Sequence, residues 1–360
     1  MSQCRDFCRE AAHSLPIRKT SNSHRGVRLS MDKSLRIYVA GHRGLVGSAL
    51  VNQLRERACE NLILRSHAEL DLTNQAAVEH LFRETKPEYV FLAAARVGGI
   101  AANASRPADF ILDNLLMQTN VIRESFRAGV KRLLFLGSSC IYPRLAPQPM
   151  KEEAWLTGTL EATNRPYAVA KIAGIELCSA FNRQFGTRFV ALMPSNLYGP
   201  NDNYDFQACH LIPALIRKLH EAKRDRAKEV TIWGTGTPKR EFLYSEDAAA
   251  ACLFLANLPE PEFEKLSYSE PPILNAGSGS EMTIAETAEL VRSVVDVDLK
   301  FKFDHTRPDG TPRKVMDSTR INALGWRPTT SLRDGLHLAY RDFLSKPWHE
   351  PGMVSVTNDI

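Results

Sequence analysis

The segment Leu35-Arg-Ile-Tyr-Val-Ala-Gly41-His-Arg-Gly44-Leu-Val-Gly47 decides how the chain is read. Its first half is a short apolar run ended by glycine, the pattern of a buried strand. Its second half places Gly41, Gly44 and Gly47 at even intervals before a helical stretch, Ser48 to Arg57. Strand, glycine loop and helix start form the arrangement in which absent side chains let the backbone approach a pyrophosphate. Glycines also serve plain strand-to-helix turns. Here a second apolar strand, Leu62 to Leu64, closes a unit of about 30 residues and favours the nucleotide reading.

The residues after that second strand select the nucleotide. A carboxylate there would accept hydrogen bonds from a free ribose hydroxyl, but the chain has Leu64-Arg65-Ser66-His67, with Arg43 inside the glycine loop. Two guanidinium groups suit a 2′-phosphate, so the expected cofactor is NADP(H). Asp71 is read either as an adenine contact or as a helix cap.

Working outward, strand and helix patterns alternate from Leu35 to Met193, which predicts an α/β fold: a Rossmann-type doubly wound parallel sheet with helices on both faces. Glu246 to Leu258 reads as a further helix and Ile273 to Asn275 as a late strand returning to that sheet. Thr283-Ile-Ala-Glu286 is a capping box opening a helix in a smaller α/β substrate-binding domain. The expected division is a cofactor domain over 34–195 plus about 246–276, and a substrate domain over about 196–245 plus 277–345. Residues 1–33 are read as a disordered or misassigned extension and 346–360 as a tail.

A second stretch carries chemistry. Gly137-Ser-Ser-Cys-Ile-Tyr-Pro143 is followed, after an irregular proline-rich segment, by Asn164-Arg-Pro-Tyr-Ala-Val-Ala-Lys171. Pro166 suits a helix start, and Tyr167 and Lys171, four apart, then share one face. A phenol titrates near pH ~10 and a neighbouring cation favours its ionised form, a combination that carbonyl reduction can use.

On these motifs the chain resembles the extended short-chain dehydrogenase/reductase family, and within it the enzymes that epimerise and reduce GDP-4-keto-6-deoxy-D-mannose. The more selective marks are Ala93-Ala-Ala-Arg-Val-Gly-Gly-Ile100, Asn196-Leu-Tyr-Gly-Pro200, Trp233-Gly-Thr-Gly-Thr-Pro-Lys-Arg-Glu-Phe242 and Pro308-Asp-Gly-Thr-Pro-Arg-Lys314. The resemblance covers about Leu35 to Phe343. It implies that Ser138 and Tyr167 bind the C4 ketone, that Tyr167 donates a proton, and that Lys171 holds the nicotinamide ribose and lowers the tyrosine pKa. It further implies inversion at C3 and C5 by Cys140 and His210, with cysteine in the base role. A thiol near pKa ~8.5 and an imidazole near ~6.5 suit such proton transfers.

For the cofactor the resemblance points to Gly41, His42, Arg43, Gly44, Leu45, Val46, Gly47 and Arg65. It adds Leu136, Gly137, Ser138, Ser139, Lys171, Pro194, Ser195, Asn196, Leu197 and His210. For the GDP-sugar it points to Lys218, Trp233, Arg240 and Asp309. His67 stands where many relatives carry a second arginine, which implies a narrower preference for NADP over NAD. Ser195 stands where relatives often have threonine. The resemblance also implies a homodimer through helices near Ala108 to Arg127 and Tyr167 to Phe185. A nucleotide-sugar 4-epimerase or dehydratase of the same fold, holding its cofactor tightly, is the alternative, and a nucleotide sensor a third reading. The absence of an acid after the second strand counts against the former, and intact Ser138, Tyr167, Lys171, Cys140 and His210 against the latter.

Composition fits this reading. The formal charge of the 360-residue chain is +5, and residues 1–30 supply +4 of it through six basic and two acidic side chains, so the body is nearly neutral and no nucleic-acid partner is implied. No apolar run is long enough for a secretory signal or a membrane span. Seven cysteines without a C-x-x-C pair suggest neither a disulfide framework nor a structural metal, and a reducing, cytoplasmic setting is expected. Cys209, beside His210, is the second candidate thiol.

Overall fold

The computed structural model describes residues 32–307 and 309–346. The expected N-terminal extension up to Met31 and the tail beyond Lys346 lie outside them. In chain order the strands are β1 Ile37–Ala40, β2 Leu62–Ile63, β3 Tyr89–Leu92, β4 Arg132–Leu136 and β5 Phe189–Pro194. They continue as β6 Asn196–Tyr198, β7 Glu229–Trp233, β8 Lys239–Tyr244, β9 Ile273–Ala276, β10 Glu281–Thr283, β11 Lys300–Asp304 and β12 Arg313–Lys314.

Six of these form one all-parallel sheet in the order β2-β1-β3-β4-β5-β9. Every residue of β1, β4, β5 and β9 is buried, as parallel strands covered on both faces must be. Side chains alternate between two apolar layers. Ile37, Val39, Leu134 and Leu192 face the helices Leu45–Glu56 and Ser245–Ala256. Tyr38, Ala40, Phe135 and Ala191 face Gln75–Thr85, Pro107–Arg127 and Arg165–Phe185. The chain runs outward from β1 to β2 and then crosses back to lay β3 on the other side of β1. That reversal opens a crevice at the carboxyl ends of the strands.

Later strands build a second sheet. Its centre is β8, paired with β6 and β12 in parallel and with β10 antiparallel. A third apolar cluster, including Ile216, Leu219, Ile232, Val291 and Phe343, packs the helices Leu211–Arg224, Ile284–Val295 and Leu332–Leu344 against the β7–β11 pair. The Thr283–Glu286 capping box is formed with both reciprocal bonds. The segment between Asn257 and Pro271, which carries no sequence motif, contains a helix, Glu260–Ser267, fixed by the buried Arg132. Its guanidinium donates to the Ala256 and Leu258 carbonyls and the Glu260 carboxylate.

Candidate active site

The glycine loop sits at the end of β1. Gly41 has φ +82°, a left-handed conformation, and a Cβ there would lie 2.7 Å from the Ala94 amide. A Cβ on Gly47 would meet the Gly41 carbonyl oxygen at 2.0 Å, so the helix start presses directly on the loop. Gly44 caps the helix Leu45–Glu56 with no side-chain hydrogen bond, and its first turn holds no acidic residue. Its free N–H groups and positive dipole end therefore face the crevice unneutralised, which fits a bound pyrophosphate.

Arg43 and Arg65 are exposed near this loop, Arg65 donating to the Leu64 carbonyl at 2.8 Å. Burial, then Arg43, hold the His42 imidazole below its ordinary value, while a hydrogen bond to the Arg65 backbone opposes them. The loop is thereby tied to the end of β2. One carboxylate does stand here. Glu69 curls back to accept from the Ser66 amide and hydroxyl, both at 2.7 Å, a turn that the residues immediately after β2 do not announce. Asp71 accepts from the Thr73 amide and hydroxyl, and Asn74 caps the following helix, so Asp71 is spent on a local turn. Farther along, the Ser195 amide pairs with Ala276 while its buried hydroxyl has no partner, leaving that oxygen available beside the crevice.

The carboxyl end of β4 delivers the chemistry. Ser138 accepts from the Cys140 amide at 3.2 Å, opening the short turn Ser139–Ile141 and setting Cys140 close to the serine hydroxyl. Tyr167 and Lys171 stand on the helix Arg165–Phe185, which begins at the proline step as predicted. Lys171 is only 2 % exposed. Its Nζ donates to the Leu136 carbonyl at 2.7 Å and lies 4.5 Å from the Phe135 ring centre and 5.9 Å from that of Tyr167.

Electrostatics differ from the expectation for this pair. Burial, then Cys140, push the Tyr167 phenol above its ordinary range, against which hydrogen bonding with Ser138 works. Burial pushes Lys171 down to about 7. The tyrosine is therefore held as a protonated donor, and it is the lysine whose charge is disfavoured, because it is buried.

Cys140 receives two N–H donors, Asn164 Nδ2 at 3.1 Å and Lys314 Nζ at 3.4 Å. His210 is an exposed residue at the N-cap of the helix Leu211–Arg224 and makes no side-chain capping bond. The surrounding walls, then the Lys314 ammonium, hold its imidazole below the usual value. Cys209, the second candidate, has its thiol pushed up to about 12 by burial and then by Asp202 and Asp205, which disqualifies it as a base near neutrality. Lys314 thus contacts Cys140, and its charge is felt at His210. Sequence reading assigned no role to it or to Asn164, although both stand within or beside marked motifs.

The remaining residues lie along the second sheet. Lys218 Nζ donates to the Thr231 carbonyl at 3.0 Å and is held below its ordinary value by burial. Arg240, on β8, is held down by burial and opposed by Asp309. Asp309 accepts from the Thr235 amide at 2.6 Å and hydroxyl at 2.9 Å, fixing the glycine-rich turn after β7. Trp233 is 61 % exposed, with the Arg307 guanidinium 5.0 Å from its ring centre. It is an open aromatic face rather than a packed one. A further residue escaped sequence reading: Glu241, fully buried, accepts from the amides of Gly279 at 2.7 Å and Met316 at 2.9 Å. It pins the strand bearing Lys314 beside β8.

The model of the NAD dependent epimerase/dehydratase family matches residues 37–268. GDP-L-fucose synthase 1 of Arabidopsis thaliana is 56 % identical over 313 residues, 87 % of this chain and 94 % of that protein. The chain belongs to the GDP-L-fucose synthases of that family. The GDP-L-fucose synthase of Escherichia coli (strain K12) is 48 % identical over 86 % of this chain and 96 % of its own. A solved GDP-mannoheptose C4 reductase from Campylobacter jejuni with NADP bound superposes with a TM-score of 0.79 at 39 % identity, over 87 % of this chain and 99 % of that one. A GDP-L-fucose synthase thus shares its Rossmann-type frame with a sugar-nucleotide reductase of a different name. Among the described residues no group of His, Cys, Asp or Glu could hold a metal ion, and no helix is long and apolar enough to cross a membrane.

Proposed function

We propose that the protein converts GDP-4-keto-6-deoxy-D-mannose to GDP-L-fucose, inverting C3 and C5 and then reducing the C4 ketone with NADPH. The observation that carries this reading is the shared position of two proton-handling sets. Ser138 and Tyr167 form one; Cys140, tied to Ser138 through its own amide, begins the other. A simple reductase needs only the first. Removing the proton from C3 or C5 leaves negative charge on the C4 oxygen, where the Ser138 and Tyr167 hydroxyls stabilise it. Cys140 takes the ring proton and His210 returns one to the opposite face.

The glycine loop, Arg43, Arg65, Ser139 and the Pro194–Leu197 segment would hold NADP(H), which supplies hydride to C4 when bound. Lys171 orients its ribose, and the protonated Tyr167 phenol gives its proton to the C4 oxygen. Lys218, Arg240 and Asp309 bind the GDP moiety, with Trp233 packing beside it. The same reading divides the chain into a discontinuous cofactor domain, 34–195 plus about 246–276, and a substrate domain. Free, buried Cys59, Cys178 and Cys252 suit a reducing cytoplasm. A homodimer is supported by Leu112 and Leu116 on one helix and Val169 on its neighbour, which are 56 %, 39 % and 39 % exposed.

NADPH oxidation followed at ~340 nm with this substrate, for the wild-type protein and Cys140→Ser, tests the proposal. GDP-L-fucose from the former and a loss of roughly 10²-fold or more in the latter are expected. Folded protein that oxidises no NADPH, or that yields a sugar never inverted at C3 and C5, would move a 4-epimerase or dehydratase with retained cofactor to first place.

A further inference from the structure

Asn164 closes the short turn Ala162–Asn164 and stands at the N-cap of the helix Arg165–Phe185. An asparagine in that position ordinarily turns its side-chain oxygen onto the free amides of the first helical turn, which is why the residue type is favoured there. Asn164 makes no such bond. Its Nδ2 instead donates to Cys140 Sγ at 3.1 Å, across 24 positions of sequence, and its Oδ1 is buried with no hydrogen-bond partner. Neither half of the amide serves the helix it precedes, although that helix carries Tyr167 and Lys171. The group is aimed at a thiol whose own amide donates to the Ser138 hydroxyl at 3.2 Å and whose sulfur receives Lys314 Nζ at 3.4 Å. An asparagine kept for the local turn alone would be expected to cap.

We propose that Asn164 is the positioning residue of the Cys140 base: its side-chain N–H fixes the sulfur so that a lone pair is left to take the ring proton. A thiolate carries three lone pairs beside its bond to Cβ. Asn164 and Lys314 engage two of them, and both contacts are stronger to a thiolate than to a thiol. The third accepts the proton from C3 or C5. The C–H bond breaks, its electron pair passes into the enolate, and the proton forms S–H. Asn164 exchanges no proton and remains a neutral amide throughout. The inference rests on the epimerase reading above, with Cys140 as the group that removes the ring proton.

The test uses the full chain in D2O with GDP-4-keto-6-deoxy-D-mannose and no NADPH, and follows deuterium entering at C3 and C5. Alkylation of Cys140 by iodoacetamide near neutral pH, without substrate, is read separately by peptide mass. Asn164→Asp keeps the size of the side chain but loses the N–H and sets a carboxylate beside sulfur. It should lower both deuterium entry and Cys140 alkylation by roughly tenfold or more. NADPH reduction of the 4-keto sugar already inverted at C3 and C5 should stay within about twofold of wild type in Asn164→Asp, because Ser138, Tyr167 and Lys171 perform that step without the thiol. A fault in the start of their helix would slow it as much as the exchange. Deuterium entry or Cys140 alkylation at the wild-type rate in Asn164→Asp, or an equal loss of exchange and reduction, would overturn the positioning role. Should Cys140→Ser itself exchange deuterium at the wild-type rate, the epimerase reading would fall, and the role of Asn164 with it.

Discussion

Lys171 shows how much of this site is set by what surrounds a side chain rather than by its identity. A lysine whose charge is buried near an aromatic ring, with one carbonyl as partner, has its value lowered from 10.5 to about 7. Between those two values the unfolded chain binds a proton that the folded protein does not, so stability rises with pH across that window. The penalty is full below about pH 7 and gone near the upper value. Lys171→Met should therefore be more stable than wild type in urea melts at pH 7, and that advantage should shrink steadily by pH 10. An advantage that is constant with pH would mean that the ammonium is well solvated by the fold. At the same scale lies the difference between Cys140 and Cys209. Sequence separated them only by motif; the structure separates them by neighbours, two N–H donors in one case and two aspartates in the other.

At the scale of elements, the glycine loop is the most rigid requirement. Gly47 faces backbone on the side where a Cβ would go, the Gly41 carbonyl at 2.0 Å and His42 Cα at 2.9 Å. Backbone atoms cannot swing aside as a side-chain end can. Overpacking of this kind costs about 1–3 kcal/mol, and each 1.4 kcal/mol is tenfold in affinity. Gly47→Ala should weaken NADPH binding by about tenfold or more in fluorescence titration; a wild-type affinity would show that the loop yields. This element was legible in sequence because its constraint is local: strand, glycines and helix follow one another in the chain. The same holds for the Thr283 capping box and for Tyr167 and Lys171 on one helical face. Lys314 and Glu241 were not legible in the same way: Glu241 meets the Gly279 and Met316 amides only where β8 pairs with β10 and β12, and Lys314 meets Cys140 from 174 residues away in the chain. Glu69 was missed for the opposite reason, a tight turn around Ser66 that returns an acid to a place read as free of one.

For the whole molecule, the exposed Leu112, Leu116 and Val169 offer a test of the proposed homodimer. Leu112→Glu combined with Val169→Glu should convert a dimer to a monomer in light scattering, since charge at the centre of an apolar contact leaves an uncompensated desolvation penalty. A variant that remains dimeric would place the interface elsewhere. The fold as a whole followed from the alternation of strand and helix over Leu35 to Met193, while the returning strand was visible only as the short stretch Ile273 to Asn275, two apolar residues and an asparagine. That strand, β9, completes the edge of the six-stranded sheet beside β5, and the helix Ser245–Ala256 covers one of its faces. During synthesis on the ribosome, β5 emerges long before either. Its free edge, fully apolar in sequence, must wait through the entire 196–272 segment for a partner, and an open edge of that kind recruits other chains. A nascent chain stalled near residue 268 would hold every residue of the glycine loop and of the Ser-Tyr-Lys set and still be an aggregation hazard, not a smaller enzyme.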